Sequence, residues 1–445
     1  MNIMSGKKVR SFVPWKPESK RVFNSAFAFE IKTTPVDPER AWETPDYIFG
    51  VAFDGTKGYF VTREHVACFL AVHQDLMVVI HGAPVALAVL DKIARDELDV
   101  YDLVHRDQVR DTQLLQQLYL LGTRGLTAQD KDEATLESCA KKYLKLDLSG
   151  DSLDADCDPI RTSWHKYVDV PPGKIDSRYL EAIAQDVIAV YRLHRHLEKL
   201  LDKLLAESTK VWGYVSDRWR NDVVRLFGHQ THHTQLRGAI ALFTVTANGL
   251  HVDGHARTEV TNVLKSLLRN LREHLIQGGW DPEGPDAKGN LQTFLGELEQ
   301  RRGLKFPRTR SGKVSTAADA LHDIAIKIPE VQNLLRYQQA QSLLGSFLGK
   351  MDRPVLHPSF DGMARTGRTT SHGEINAQNL PRTNDVRRCI VPSPGHVFIL
   401  ADYKTIELVT LGQALLKQFG MKSATPWAWG SKASSIMLAG TSESD

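Results

Sequence analysis

The chain has 445 residues, 42% of them hydrophobic, with 56 Lys and Arg against 53 Asp and Glu and a net charge of +3. That length allows two or three domains, and the near-neutral balance means that any surface for a polyanion must come from local clustering of basic residues. No apolar run approaches ~20 residues and MNIMSGKKVR lacks the apolar centre of a secretory signal, so a spanning helix is excluded, membrane partners are not expected and a cytoplasmic location is.

In chain order, residues 1–22 are polar and basic and are expected to form a poorly ordered arm. SAFAFEIKTTP, YIFGVAFDG, GYFVTR and LMVVIHG then read as strands, with Asp54 and Gly55 supplying the turn between the second and third. Helical patterns follow and end in DVIAVYRLHRHLEKLLDKLLAE, where Leu193, Leu197, Leu200 and Leu204 share a face. Strands first and helices returning over them make an α/β layer plan for residues 23–200. Residues 201–350 are mainly helical in pattern, and Leu264, Leu267, Leu271 and Leu275 stripe one long helix.

Within that region RRGLKFPRTRSGK gathers Arg301, Arg302, Lys305, Arg308, Arg310 and Lys313 without one acid, a composition suited to phosphate contacts. Further on, the apolar run Val397 to Leu400 reads as a buried strand that delivers the carboxylate of Asp402. Leu408, Leu411, Leu415 and Phe419 then have helical spacing, so the chain is expected to turn from strand into helix near Glu407. Residues 421–445 show no sustained period and read as a foreign or out-of-frame tail.

Four motifs stand in order: MARTGRTTS (Met363 to Ser371), NAQNLPR (Asn376 to Arg382), PSPGHVFIL (Pro392 to Leu400) and ADYKTIEL (Ala401 to Leu408). Together they resemble the palm entry and first metal motif of the family A DNA polymerases. The resemblance implies an α/β ribonuclease-H-like 3'-5' exonuclease domain over 23–200, a mainly helical thumb over 201–350 and the beginning of an α+β palm over 351–420. It implies template-directed nucleotidyl transfer with two Mg2+ ions, acting on a DNA primer-template and deoxynucleoside triphosphates.

By resemblance Asp402 binds metal, and Glu407 sits under the nucleotide sugar and discriminates against ribose. Arg368, Gln378 and Asn379 hold the primer-template, and the basic loop from Arg301 to Lys313 grips phosphate. Hard cations keep several waters and need more than one carboxylate, so a second acid is required beside Asp402. The family pattern ADYSQIELR is altered here to ADYKTIELV, with Lys404, Thr405 and Val409 as departures.

The exonuclease motifs are altered further. The first, an FDIET pattern, is FEIKT, placing Glu30 and Lys32 at its two acidic positions. The second, an Asn followed by an Asp, is replaced by Gly82 and Ala86. In the third Asp186 remains, while the Tyr expected four residues earlier is Ala182. An ammonium in place of a carboxylate swings the local charge by two units, each pair at ~4 Å being worth about 4 kcal/mol at an effective dielectric near 20. The expectation is a retained fold without nuclease activity.

After Phe419 the resemblance stops, without a fingers helix or a second metal-binding Asp. The His322 and Asp323 pair precedes the first metal motif and is expected to be an ordinary surface pair. The chain is therefore read as a truncated polymerase inactive alone. The alternative is a DNA-binding remnant, or half of a split enzyme completed by a second polypeptide that supplies the fingers and the rest of the palm. His229, His232 and His233 lie a helical turn apart without a nearby acid or Cys, and surface positions are expected for them. The four cysteines form no close pair, which argues against zinc and disulfides.

Overall fold

The computed structural model describes residues 2–5, 8–125, 132–148, 152–212, 224–364, 368–382, 385–403 and 405–419. Thr366 and Gly367 of the TGR motif, Lys404 and the tail 421–445 lie outside the described residues. Two compact units are present, one built from Met1–Phe243, Gly362–Arg368 and Ile399–Asp445 and the other from Thr244–Asp361 and Thr369–Phe398.

The first unit is organised on a seven-stranded sheet. Its strands are β1 (Asn2–Ser5), β2 (Lys8–Pro14), β3 (Phe27–Thr33), β4 (Tyr47–Phe53), β5 (Lys57–Thr62), β6 (Val78–Ile80) and β7 (Val109–Asp111), in the order β1-β2-β5-β4-β3-β6-β7. β3, β4 and β5 form an antiparallel meander, whereas β6 and β7 continue beside β3 in parallel, and β2 lies parallel to β5. The aromatic and β-branched content of FAFEIKT, YIFGVAF and KGYFVT suits half-buried strands. At the β4–β5 turn Gly55 takes a φ of 98°, and Asp54 Oδ1 accepts from the backbone N–H of Thr56 and Lys57.

Helices cover both faces. α1 (Val66–Val72), α2 (Ala83–Ala94) and α3 (Val100–His105) close one face over Phe27, Phe29, Val78 and Ile80. α4 (Thr112–Arg124) follows β7, and α5 (Ser177–Trp212) lays Tyr179, Ile183, Val187 and Val190 on the other face against Phe49, Val51 and Phe60. Buried Asp111 ties two helices together. Its carboxylate accepts from Gly82 and Ala83 N–H at 3.0 and 2.9 Å, ahead of α2, and from Gln113 and Leu114 N–H at 2.9 and 3.3 Å, at the start of α4.

The expected disordered arm is corrected by β1 and β2. Phe12 and Trp15 are fully buried, Phe12 lying 5.7 Å from both Phe53 and Phe60. A segment-averaged composition hides a single buried side chain such as Phe12, which the pairing of β2 with β5 carries into the core.

α6 (His232–Asn248) begins with His232 and His233, both buried rather than at the surface. His232 Nε2 accepts from Asp111 N–H at 3.0 Å, and burial holds its pKa well below the ordinary value. The helix start is wedged onto the sheet end, which segment polarity does not reveal. His322 and Asp323 form an exposed pair at 3.5 Å, as expected.

In the second unit β8 (Leu250–Val252) pairs with β9 (Val355–Leu356) and β12 (Ile390–Val391), while β10 (Pro358–Asp361) pairs with β11 (Thr370–Gly373). Its helices are α7 (Gly254–Gly278), α8 (Ala287–Arg302), α9 (Ala318–Ala325) and α10 (Pro329–Ser346). Asp253 caps α7, and Leu264, Leu271 and Leu275 are buried along it with Leu267 partly so, the expected stripe. No helix among the described residues is long and apolar enough to cross a membrane.

Candidate functional site

Alternation along β3 sends Phe27 and Phe29 to one face and Glu30 and Lys32 to the other, where α5 runs. α5 supplies Asp186 from its inward stripe, with a side chain 2% exposed. Lys32 Nζ donates to Asp186 Oδ2 at 2.9 Å and to Glu30 Oε1 at 3.4 Å, and Arg161 Nη1 donates to Asp186 Oδ1 at 2.6 Å. Two carboxylates and two cations thus close on one another. Ala86, buried on α2, contributes no polar side chain.

Burial pushes Glu30 up from 4.5 to about 7 against the pull of Lys32, with Asp186 adding to the rise. Burial works against the Lys32 ammonium as well, but Asp186 and Glu30 outweigh it and hold its pKa above the ordinary value. His81 follows β6 with Nδ1 2.9 Å from Thr112 Oγ1, and burial drives it down to about 4 while Asp186 pulls it upward. Arg161 and His81 carry no sequence signal for this site, because Arg161 lies in an irregular segment placed by tertiary packing.

The expected palm residues are arranged differently. Glu407 stands in the first turn of α11 (Ile406–Phe419), which forms where helical spacing placed it. Arg368 Nη2 lies 3.7 Å from Glu407 Oε1, both side chains being largely exposed. Asp402 is exposed in an extended loop, and its approach is not a buried strand. Val397, Ile399 and Leu400 are 80, 90 and 91% exposed, and no strand among the described residues pairs with them. An apolar run specifies a need for burial, but only a hydrogen-bonding neighbour makes it a strand.

In the second unit Gln378 Nε2 donates to Thr369 Oγ1 at 2.5 Å, and Asn379 N–H donates to Asn376 Oδ1 at 3.2 Å, leaving both side chains exposed. The basic segment is partly neutralised from outside itself. Arg302 Nη2 reaches Glu330 Oε1 at 2.5 Å, Arg308 pairs with Glu299, and Arg301 donates to Gly278 O at 3.2 Å. Lys305, Arg310 and Lys313 stay exposed without an ion pair among the described residues.

Residues 269–419 match DNA polymerase family A. The chain carries a family A, DNA polymerase I-like domain. Similar curated proteins include DNA polymerase I of Chloroflexus aurantiacus, 28% identical over 37% of this chain and 19% of that protein, and DNA polymerase I of Bacillus subtilis, 27% identical over 48% and 25%. DNA polymerase of Escherichia phage T5 is 32% identical over 22% of this chain and 12% of its own length. The match therefore spans a quarter or less of these relatives. In fold, the chain resembles the POL domain of Pol1 from M. smegmatis in complex with DNA primer-template and dNTP, with a TM-score of 0.54, 19% identity and coverage of 91% of this chain and 62% of that one. The architecture is thus a mixed α/β one of DNA polymerase I type. The family A stretch contains Arg301 to Lys313, Arg368, Gln378, Asn379, Asp402 and Glu407, whereas the Lys32 cluster lies outside it.

Family A polymerases use Mg2+. Among the described residues no group of three or more His, Cys, Asp or Glu is placed to hold a metal, Asp402 is a lone exposed carboxylate, and Lys32 and Arg161 engage the remaining nuclease-type acids. A two-metal centre does not fit the donors described at either place.

Proposed function

We propose that this chain binds DNA primer-template through its polymerase-family region, as part of template-directed nucleotidyl transfer, with deoxynucleoside triphosphates as the substrate class. The observation that carries this reading is the approach of Arg368 to Glu407 at 3.7 Å, which brings together residues of the separate TGR and IEL motifs. Asp402 is assigned as a metal ligand of the complete catalytic assembly, Glu407 as the sugar gate, and Arg368, Gln378 and Asn379 as primer-template contacts. Lys305, Arg310 and Lys313 are the phosphate contacts of the basic loop, and residues 201–350 serve as the thumb. The lone, exposed Asp402 favours a second reading, DNA binding with catalysis completed by another polypeptide or not at all.

The leading sheet is read as an exonuclease-like scaffold. The order β5-β4-β3-β6-β7, with three antiparallel strands followed by two parallel ones, supports a ribonuclease-H-like assignment. Lys32 and Arg161 occupy the space beside Glu30 and Asp186 that cations would need, so hydrolysis at this site is assigned as lost.

The test combines primer-template binding at several salt concentrations with primer extension by the full chain, alone and with a polypeptide carrying fingers and the remaining palm of a relative. Salt-sensitive binding is expected. Extension alone points to a complete site, extension only with the second polypeptide to a split enzyme, and binding without extension to a DNA-binding role. Failure to bind primer-template overturns the proposal.

A further inference from the structure

The first unit holds an open cavity of about 780 Å3 that excludes Glu30, Lys32, Arg161 and Asp186 from its lining. Its charge is one-sided. Arg192, Arg195 and Lys199 project from α5 at spacings of three and four residues, which places them along one helix face. Arg10 joins them from β2, its guanidinium 5.9 Å from the centre of the Phe53 ring. Among the described residues none of these four cations has an ion pair, although Arg21, Arg40, Arg95 and Arg106 elsewhere in the unit each have one. Asp54 is the one acid in the lining, and its Oδ1 is engaged by Thr56 and Lys57 in the β4–β5 turn.

Unrelieved like charges on one helix face repel, and cations brought to a common hollow from two elements repel again unless an anion sits among them. The cavity has the size of a small-molecule site. His196 and Tyr143 form one wall, with ring centres 4.8 Å apart and planes inclined by 36°, and give a partly apolar shelf beside the cations.

We propose that this cavity binds a polyphosphorylated small anion, the phosphate chain lying among Arg10, Arg192, Arg195 and Lys199. Guanidinium forks match phosphate oxygens in pairs, and Lys199 adds a point charge. The shared chemistry is a chain of phosphates, carried either by a nucleoside triphosphate or by inorganic pyrophosphate. The shelf of His196 and Tyr143 favours the nucleotide. This inference stands apart from the polymerase reading, since none of the residues involved lies within 269–419.

The experiment is calorimetric titration of the full chain with ATP and, separately, with pyrophosphate, at low and at physiological salt. Binding of both is expected, tighter for ATP and weakened by salt. The double variant Arg192→Gln with Arg195→Gln should lose at least tenfold in affinity for both ligands. Lys92→Gln with Arg95→Gln removes the same charge at the end of α2, which packs on the sheet face opposite α5, and should change affinity less than twofold. Circular dichroism on each variant reports folding, and Arg10→Gln on a different element gives an independent loss of affinity if the first pair fails to fold. Pyrophosphate binding as tightly as ATP assigns the site to the phosphate chain alone. No binding of either ligand at 1 mM, or equal affinity in the cavity and control variants, overturns the proposal.

Discussion

Lys32 Nζ stands 2.9 Å from Asp186 Oδ2, with Arg161 on the other oxygen of the same carboxylate at 2.6 Å. This is a closed arrangement: both oxygens of a buried acid are engaged by cations that belong to the chain. A divalent ion entering there must displace an ammonium held by two carboxylates and then sit beside it, and the low-dielectric surroundings sharpen the repulsion.

The expected result is no Mg2+- or Mn2+-dependent degradation of single-stranded DNA by the full chain. Lys32→Ala should not create it, because Arg161 remains on Asp186 and Ala86 supplies no carboxylate. Denaturing gels of an end-labelled oligonucleotide make the measurement. Robust cleavage that disappears in Asp186→Asn would show the site to be catalytic.

Glu30 makes the cluster pH-sensitive. Below pH 4.5 it is protonated in both folded and unfolded chains, and its favourable contribution is fully present. As pH rises the unfolded chain releases the proton first, while the fold holds it until about 7, so stability falls across that window. At ~1.4 kcal/mol per pH unit, the loss is on the order of 3 kcal/mol. Glu30→Gln mimics the protonated acid. Urea unfolding should find it close to the parent protein at pH 4 and more stable at pH 8, and an equal gap at both values would remove Glu30 as the titrating group.

In Asp111 one buried carboxylate serves four backbone N–H groups at the starts of α2 and α4. Asp111→Ala should cost about 3 kcal/mol, as each cap is worth ~1 kcal/mol and the released N–H groups of Ala83 and Leu114 are buried. Asp111→Asn keeps an acceptor and should lose less. Thermal unfolding that leaves both variants unchanged would contradict the double-cap role.

The sequence made the meander legible because alternation and turn chemistry agree locally: FAFEIKT, YIFGVAF and KGYFVT became β3, β4 and β5, and the same alternation put Glu30 and Lys32 on one face. Arg161 was not legible. It sits in an irregular segment whose position depends on Ile160 and Trp164 packing against the sheet, a long-range effect with no period of its own. Trp15 and His232 failed for a related reason, since polar neighbours diluted single buried side chains. Val397 to Leu400 failed in the opposite direction, because apolar character reports appetite for burial but not the partner strand.

The basic loop divides into two groups that a DNA titration can separate. Arg302 and Arg308 are held by Glu330 and Glu299 from other parts of the second unit, so their charge is largely answered within the protein. Lys305, Arg310 and Lys313 are exposed and free to neutralise phosphates. If each releases one counterion from duplex DNA, replacing all three by Gln should lower the salt slope of primer-template binding by up to about 2.7, at ~0.9 per phosphate contact. Arg302→Ala or Arg308→Ala should leave that slope nearly unchanged and cost under about 1 kcal/mol of stability, as surface ion pairs usually do. Fluorescence anisotropy across a salt series measures the slopes. A slope that responds to Arg302 and Arg308 but not to the three exposed cations would place the phosphate track on the other edge of the loop, and with it the path of the duplex.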